Sequence, residues 1–273
     1  MRIKPAVLLV AALLLPAWPL PADCGAGGDG DLLCVEASAA HVRGLGLHID
    51  EAYATFVTVR ATADDALRLE RAGLQYFELS GLDRVVLPGA SFTPSPASFA
   101  SKGLDGLRLE GPGPFHLIVK VKGPVKAGWL AGIESTGAQL RGGALSHFNF
   151  VIRADRAQAL EVAGLPFVRW VGGLLPEHKL PYPLPPGTFK FDMVFFKEEQ
   201  RDFDEALRLV RRYGGEVSEF DLGTAWWDSA VVKAPRAAAD EILRLPGLWT
   251  LETAGTTGPR NDEIGRASCR ERV

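Results

Sequence analysis

The chain has 273 residues, of which 47% are hydrophobic and 23% are charged, and these proportions are typical of a globular protein. Its 30 basic and 33 acidic residues give a net charge of −3. A mildly acidic chain lacks the positive surface that binds nucleic acid, so the balance of charge argues against a nucleic-acid partner. The length allows two small domains.

The first 22 residues have the features of a secretory signal peptide. Arg2 and Lys4 precede a short apolar run, Ala6 to Leu15, and prolines follow it. The run is too short to span a membrane, and cleavage after Ala22 fits the small residue there. We therefore expect a secreted or periplasmic protein with no membrane attachment after cleavage.

Residues 23–51 begin with a glycine-rich run that has no hydrophobic period, and they are predicted to form a flexible leader. The leader contains Cys24 and Cys34. In an exported protein, such a pair favours a disulfide over two free thiols.

Residues 52–92 are predicted to form a partial α/β unit. Thr55, Val57 and Val59 alternate as in a strand, and Thr62 with Asp65 forms the pattern of a capping box at the start of a helix. Residues 93–113, which are rich in proline, glycine and serine, are predicted to be a linker.

The remaining sequence contains two similar stretches, at 114–175 and 189–255. Each begins with an apolar strand, continues with a helix that glycine ends, and has two further strands, a short helix and a closing strand. This order, β-α-β-β-α-β, predicts an α+β fold with two tandem ferredoxin-like units. Between them, residues 176–188 contain five prolines, which predicts a stiff, extended linker.

Individual residues predict how the helices of these stretches lie. Trp129 should contact the sheet face that carries Leu117 and Val119, because the apolar positions of its helix face that way. Asp155 and Asp202 are placed to cap helices. In the helix after Asp155, the inward residues are predicted to be Ala159, Leu160 and Ala163.

No pattern in the sequence indicates a catalytic or metal centre. The histidines lack the spacing of a metal site, and no serine has the Gly-x-Ser-x-Gly context of a nucleophile elbow. His116 and His147 fall on the polar faces of strands, where solvent exposure is expected. We accordingly assign no catalytic residue, no metal ligand and no cofactor.

The adjacent Trp226 and Trp227 would lie on opposite faces of a strand, so one of them could be exposed. An exposed tryptophan suits a contact with a protein partner, although packing under a neighbouring domain explains it equally well.

These motifs carry a family resemblance. The features that carry it are the strand from Phe115, the Gly-Pro turn at Gly123, the helix with Trp129, and the sequence Leu-Pro-Phe-Val-Arg-Trp-Val-Gly from Leu165. Together they resemble the N-terminal region of secreted bacterial subtilisin-like (S8 family) serine proteases. In that family, inhibitor-like prodomain units of ferredoxin-like fold precede the catalytic domain. The resemblance covers about Phe115 to Asp262 and is weaker over Ala52 to Phe92.

The resemblance implies a prodomain-like region that assists, inhibits or covers a protease domain. The family's Asp-Thr-Gly, His-Gly-Thr and Gly-Thr-Ser-Met motifs do not occur in this sequence, so it implies no catalytic residue and no enzyme activity for this chain. The expected partner is a downstream or cognate protease domain, bound mainly through a sheet face, while a C-terminal extended segment could pair in its substrate cleft by strand addition. The alternative is a stand-alone secreted binding or adhesion scaffold of ferredoxin-like units.

Residues 256–273 predict the boundary of a further domain near Asp262. Residues 256–262 would lead into a further domain, whereas residues 263–273 resemble the translation of a sequencing-adapter oligonucleotide and show no apolar period. We expect that this tail is artefactual and that the natural gene continues beyond Asp262.

Overall fold

The chain forms three successive units of the same topology. The computed structural model describes residues 31–79, 81, 83–107, 109, 113–145, 148–222 and 227–254. Each unit has the order β-α-β-β-α-β, and its four strands form an antiparallel sheet in which the first and third strands are central. The α+β fold with tandem ferredoxin-like units is therefore as predicted. The predicted signal peptide, the boundary at 256–262 and the tail at 263–273 lie outside the described residues.

The leading unit covers residues 31–79. Its elements are β1 (Asp31–Val35), α1 (Ala39–Gly44), β2 (Ile49–Ala52), β3 (Val57–Ala61), α2 (Ala63–Arg71) and β4 (Tyr76–Glu78). The strand order is β2-β3-β1-β4.

Two short connecting pieces follow the leading unit. They are a hairpin of β5 (Val85–Val86) and β6 (Ser91–Phe92), and a helical segment with α3 (Pro96–Ala100) and a 3-10 turn, Leu104–Gly106.

Unit 1 covers residues 114–175. Its elements are β7 (Phe115–Val121), α4 (Ala127–Ser135), β8 (Gln139–Leu145), β9 (Asn149–Ala154), α5 (Arg156–Gly164) and β10 (Val168–Gly173). The strand order is β10-β7-β9-β8.

Unit 2 covers residues 188–254. Its elements are β11 (Thr188–Phe196), α6 (Gln200–Arg212), β12 (Glu216–Asp221), β13 (Trp227–Pro235), α7 (Arg236–Ile242) and β14 (Leu248–Thr253). The strand order is β12-β13-β11-β14.

The leading unit is more complete than its sequence suggested. The prediction of a flexible leader is wrong for residues 31–51, which form β1, α1 and β2. β1 is a central strand that pairs with both β3 and β4. Its inward side chains, Leu33 and Val35, belong to the core of the unit. This pairing joins segments that are distant in sequence, so the glycine-rich run before β1 did not indicate it.

The two predicted linkers are also structured. In residues 93–113, Ser95 caps α3, and the segment lies along β10, where the Val171 amide donates to the Lys102 carbonyl at 3.0 Å. In residues 176–188, a 3-10 turn, Pro176–Lys179, lies against β14. There the Thr250 hydroxyl donates to the Lys179 carbonyl at 3.2 Å. These segments cover sheet edges instead of acting as spacers.

The predicted helix caps are confirmed for α2 and α5 and are wrong for α6. Thr62 and Asp65 form a reciprocal capping box at α2, and Asp155 forms one with Gln158 at α5. Asp202 is not the cap of α6, because Glu199 occupies that position. The Asp202 carboxylate instead accepts a hydrogen bond from the Gly247 amide at 2.7 Å.

The helices cover one face of each sheet and form a separate core with it. In unit 1, Trp129 shares that core with Leu117 and Val119, as predicted, and its ring stacks on Phe167 with a centroid distance of 5.1 Å. Leu160 was predicted to point inward, but it is 49% exposed. The buried positions of α5 are Ala159, Val162 and Ala163.

Candidate functional site

The sheet faces opposite the helices of units 1 and 2 pack against each other. Ile118, Val151 and Trp170 of unit 1 share a buried cluster with Phe196 and Trp249 of unit 2. The hairpin side chains Val85 and Leu87 close this inter-unit cluster, and its partly buried members are Phe92, Phe99, Leu174, Val194 and Trp227. The parts of these two sheet faces that form the cluster are therefore not available to a partner.

His116 lies at the rim of the inter-unit cluster. It is 6% exposed, and its ring is stacked on that of Phe196 with a centroid distance of 4.7 Å and an angle of 5°. The prediction that His116 is solvated is wrong because the polar face of β7 meets unit 2. Burial lowers the pKa of His116, and the nearby Glu199 acts in the opposite direction. His147, for which exposure was also predicted, lies outside the described residues.

The Glu199 carboxylate of unit 2 lies close to His116 and Arg153 of unit 1. Glu199 Oε1 lies 3.4 Å from His116 Nε2 and 2.8 Å from Arg153 Nε. Burial alone would raise the pKa of Glu199, but the contacts with His116 and Arg153 outweigh it and lower the pKa. At neutral pH an ionised Glu199 therefore faces a neutral His116 and a cationic Arg153.

Lys120 is another buried ionisable group on this face of unit 1. Its side chain is fully buried, and Nζ donates to the Arg84 carbonyl at 2.9 Å and to Asn149 Oδ1 at 3.4 Å. Desolvation lowers its pKa to about 7, against the opposing influence of Asp83. The contact with Arg84 ties the segment before β5 to unit 1, so Lys120 is best explained as a structural group.

The leading unit also contacts unit 1. The Tyr53 hydroxyl donates to the Pro124 carbonyl at 2.8 Å, and Glu51 pairs with Lys126 at 2.5 Å and with Lys122 at 3.8 Å. Lys126 Nζ also lies 4.6 Å from the centroid of the Tyr53 ring. These contacts place the edge of the leading sheet against the turn that precedes α4.

Of the two predicted partner contacts, Trp226 and Trp227, the structure describes only Trp227. Trp226 lies outside the described residues. Trp227 is half-buried, and its ring stacks on that of Trp249 with a centroid distance of 5.6 Å. A Cβ added at Gly142 of unit 1 would lie 2.8 Å from the Trp227 ring, so these two residues are in close contact. Trp227 therefore serves the contact between the units.

The two predicted disulfide partners also differ. Cys34 is 2% exposed in the central strand β1, and desolvation raises the pKa of its thiol to about 11. Cys24 lies outside the described residues, so the pairing of these cysteines stays a prediction.

Within the described ranges, no group of three or more His, Cys, Asp or Glu side chains could hold a metal ion. None of the described helices is long and apolar enough to cross a membrane. The ionisable groups with strongly shifted pKa values, such as Lys120 and Lys179, are buried in contacts between segments of the chain.

Large exposed apolar side chains occur on helices, in connecting segments and at sheet edges, and three of them lie on or directly after edge strands. Phe220 of β12 is 55% exposed and Leu222, just after it, is 53% exposed. Phe77, on the edge strand β4 of the leading unit, is also exposed. The sequence did not indicate the exposure of Phe220 and Leu222, because the alternation of apolar and polar residues in β12 is the same as in any half-buried strand.

The edges of units 1 and 2 are not equally covered. The α3 segment lies along β10, and the 3-10 turn Pro176–Lys179 lies along β14. β8 meets unit 2 through Arg141, which pairs with Glu198 at 2.5 Å. Among the described residues, β12 pairs with β13 on one side and contacts α6, and no other strand adjoins its outer edge.

Comparison with known proteins adds little to this geometry. No protein-family model and no curated protein matches the chain. The acetolactate synthase small subunit from Thermotoga maritima is similar at 12% identity and a TM-score of 0.19, over 51% of this chain and 92% of that one. A protein from Thermus thermophilus is similar at 11% identity and a TM-score of 0.21, over 94% of this chain and 44% of that one.

Proposed function

We propose that the chain is a non-catalytic protein-binding region that accompanies a secreted subtilisin-like serine protease and assists, inhibits or covers its catalytic domain. The resemblance of residues 115–262 to such N-terminal regions motivates the proposal. The structural observation that carries it is the pair of exposed apolar side chains, Phe220 on β12 and Leu222 just after it, at an edge beside which the described residues place no further strand. Exposed apolar side chains at a sheet edge suit a protein partner.

The placement of the ionisable groups favours binding over catalysis. A catalytic acid, base or nucleophile must reach a substrate. His116 and Lys120 are instead shielded between segments of the chain, where their partners are Glu199 and the Arg84 carbonyl. Their shifted pKa values follow from this burial and from their role in holding the segments together.

We infer that the partner does not bind through the sheet faces of units 1 and 2, which the resemblance implies as the main contact. A prodomain-like unit was expected to use the sheet face opposite its helices, but those faces of units 1 and 2 form the inter-unit cluster. The partner would therefore contact edges and helix rims. A secreted scaffold remains the second candidate, because the contacts of the leading unit with unit 1, and of unit 1 with unit 2, suit a rigid spacer.

The deciding experiment begins with the natural gene. Sequencing across codon 262 shows whether a protease domain follows. If so, that domain is expressed separately and mixed with the present chain. We expect nanomolar-to-micromolar inhibition of its peptidase activity, or faster refolding. A gene without a protease domain, or two pieces that neither bind nor assist each other, would replace this proposal with the scaffold.

A further inference from the structure

We propose that the outer edge of β12 binds an extended strand of a partner protein domain, and that this strand carries lysine or arginine side chains alternating with apolar ones. The inference rests on the proposed function and specifies its contact surface. It follows from three features of β12: a backbone edge with which no described strand pairs, an acidic row on one face, and exposed apolar side chains on the other.

The backbone edge provides the first feature. In an antiparallel sheet, an edge strand directs the N–H and C=O groups of alternate residues away from the sheet, where another strand can pair with them. The opposite edge of unit 2, at β14, is covered by the preceding turn Pro176–Lys179. The described part of the chain leaves β12 without such a cover.

Register divides the side chains of β12 between the two faces. Glu216 lies opposite Lys233, and Glu219 lies opposite Val231. Val217 and Phe220 lie opposite Val232 and Ala230, two residues of the core of unit 2. Because directly opposed residues of an antiparallel pair share a face, the acidic residues lie on the face away from the helices and the apolar residues on the helix face.

Glu216 and Glu219 form the acidic row of β12, and their negative charge favours a positively charged partner strand. Glu219 is already 3.7 Å from Lys190 of β11, and both side chains remain largely exposed. An incoming strand would lie on the outer side of β12, so its basic side chains would face Glu216 and Glu219 as cross-strand neighbours. Opposite charges in such positions are favourable, and like charges are unfavourable.

The same charges disfavour pairing between two copies of this chain. Two β12 edges brought together would place their carboxylates side by side, and like charges in such positions are unfavourable. The edge is therefore unsuited to self-association but open to a strand of opposite charge.

The helix-side rim offers the apolar contact. Phe220 has its ring 6.5 Å from that of the buried Phe203 of α6, so it is anchored on one side and exposed on the other. Leu222 extends this rim beyond the end of β12. Apolar residues of an incoming strand, alternating with its basic ones, would cover both side chains.

The test uses the 273-residue chain and two short synthetic peptides of equal length, one alternating lysine with valine and the other alternating glutamate with valine. We expect the lysine peptide to bind more tightly than the glutamate peptide and to lose affinity as the salt concentration rises. Its binding should also slow hydrogen exchange at the amides of residues 216–221. The double variant Glu216→Lys/Glu219→Lys should weaken binding about tenfold or more.

Matched variants keep this result interpretable. Glu134→Lys/Glu161→Lys reverses two exposed carboxylates on the helices of unit 1 and should leave affinity for the lysine peptide unchanged. If the charge-reversed β12 variant fails to fold, the neutral variant Glu216→Gln/Glu219→Gln should still weaken binding. Absence of binding, equal binding by the β12 and control variants, or protection away from 216–221 would overturn the inference.

This outcome is separate from that of the proposed function. If the downstream protease domain binds the chain without protecting residues 216–221, the proposed function stands and the β12 assignment fails. If the lysine peptide protects β12 but no protease domain binds, the edge site stands and the protease partner is rejected.

Discussion

The imidazole of His116 in unit 1 lies parallel to the ring of Phe196 in unit 2, with centroids 4.7 Å apart. Its Nε2 lies 3.4 Å from Glu199 Oε1, and neither ring nitrogen has a hydrogen-bond partner among the described residues. Lys179 and Arg141 add positive charge near the ring. Burial is the main cause of the lowered pKa of His116, and together with these cations it outweighs Glu199 and keeps the histidine neutral at the contact between the two units.

This arrangement predicts acid sensitivity. Burial lowers the pKa of His116 in the folded chain, so the unfolded chain takes up the proton first as the pH falls. The contribution to stability is complete above about pH 6.5 and is lost below it, with a slope of at most about 1.4 kcal/mol per pH unit for one proton. Urea unfolding at several pH values, followed by tryptophan fluorescence, measures the slope.

The variant His116→Gln provides the comparison for this slope. His178, whose pKa burial also lowers, and the carboxylates titrate in both proteins, so only the difference between the two slopes reports on His116. The slope should be smaller in the variant. An unchanged slope would show that His116 titrates normally.

Trp129 should be a major contributor to the stability of unit 1. Its ring is buried and stacked on Phe167. Replacing a buried tryptophan with alanine removes these contacts and leaves a cavity, so Trp129→Ala should cost about 3–5 kcal/mol of unfolding free energy. The control Leu160→Ala, at an exposed position of α5, should cost less than about 1 kcal/mol. Similar losses for both variants would contradict the assigned helix face.

Gly103 tests whether the segment after α3 is fixed against β10. Its φ is +82°, and a Cβ there would lie 2.0 Å from the Val171 carbonyl oxygen. Gly103→Ala should therefore destabilise by more than about 2 kcal/mol, because it combines backbone strain with a steric clash. Gly106→Ala is the control, since no atom lies within 4 Å of its Cβ position. Thermal and urea unfolding should separate the two variants.

The Cys34 thiol should react slowly in the folded chain. It is buried, and its pKa of about 11 leaves little thiolate at mildly alkaline pH. In the variant Cys24→Ser/Cys269→Ser, alkylation of Cys34 should be about 100-fold or more slower in buffer than in urea. Rapid alkylation of the folded chain would show that β1 opens or is misplaced. Peptide mapping of the unreduced natural chain tests the predicted disulfide with Cys24 separately.

Sequence reasoning succeeded where the signal is local. The capping boxes at Thr62 and Asp155 need only side chains and amides within one helical turn, so the pattern of residues specifies them. The repeated strand and helix periods likewise predicted units 1 and 2.

The failures share a different cause, because they depend on segments distant in the chain. β1 is defined by its pairing with β3 and β4, and its sequence alone does not contain that information. His116 occupies the polar side of an alternating strand, and only the docking of unit 2 makes that side an interior. The difference between β12, beside which the described residues place no cover, and the covered strands β10 and β14 is apparent only in the folded structure.

The packing of units 1 and 2 through their sheet faces means that each unit acts as a tethered ligand for the other. The residues between Gly173 and Thr188 hold the two faces at an effective concentration that, for short connections, reaches the millimolar range. A modest intrinsic affinity between the faces is then enough to keep them together. Cutting this connection would convert an intramolecular contact into a concentration-dependent one and would leave Ile118, Val151 and Trp170 exposed to any competing apolar surface.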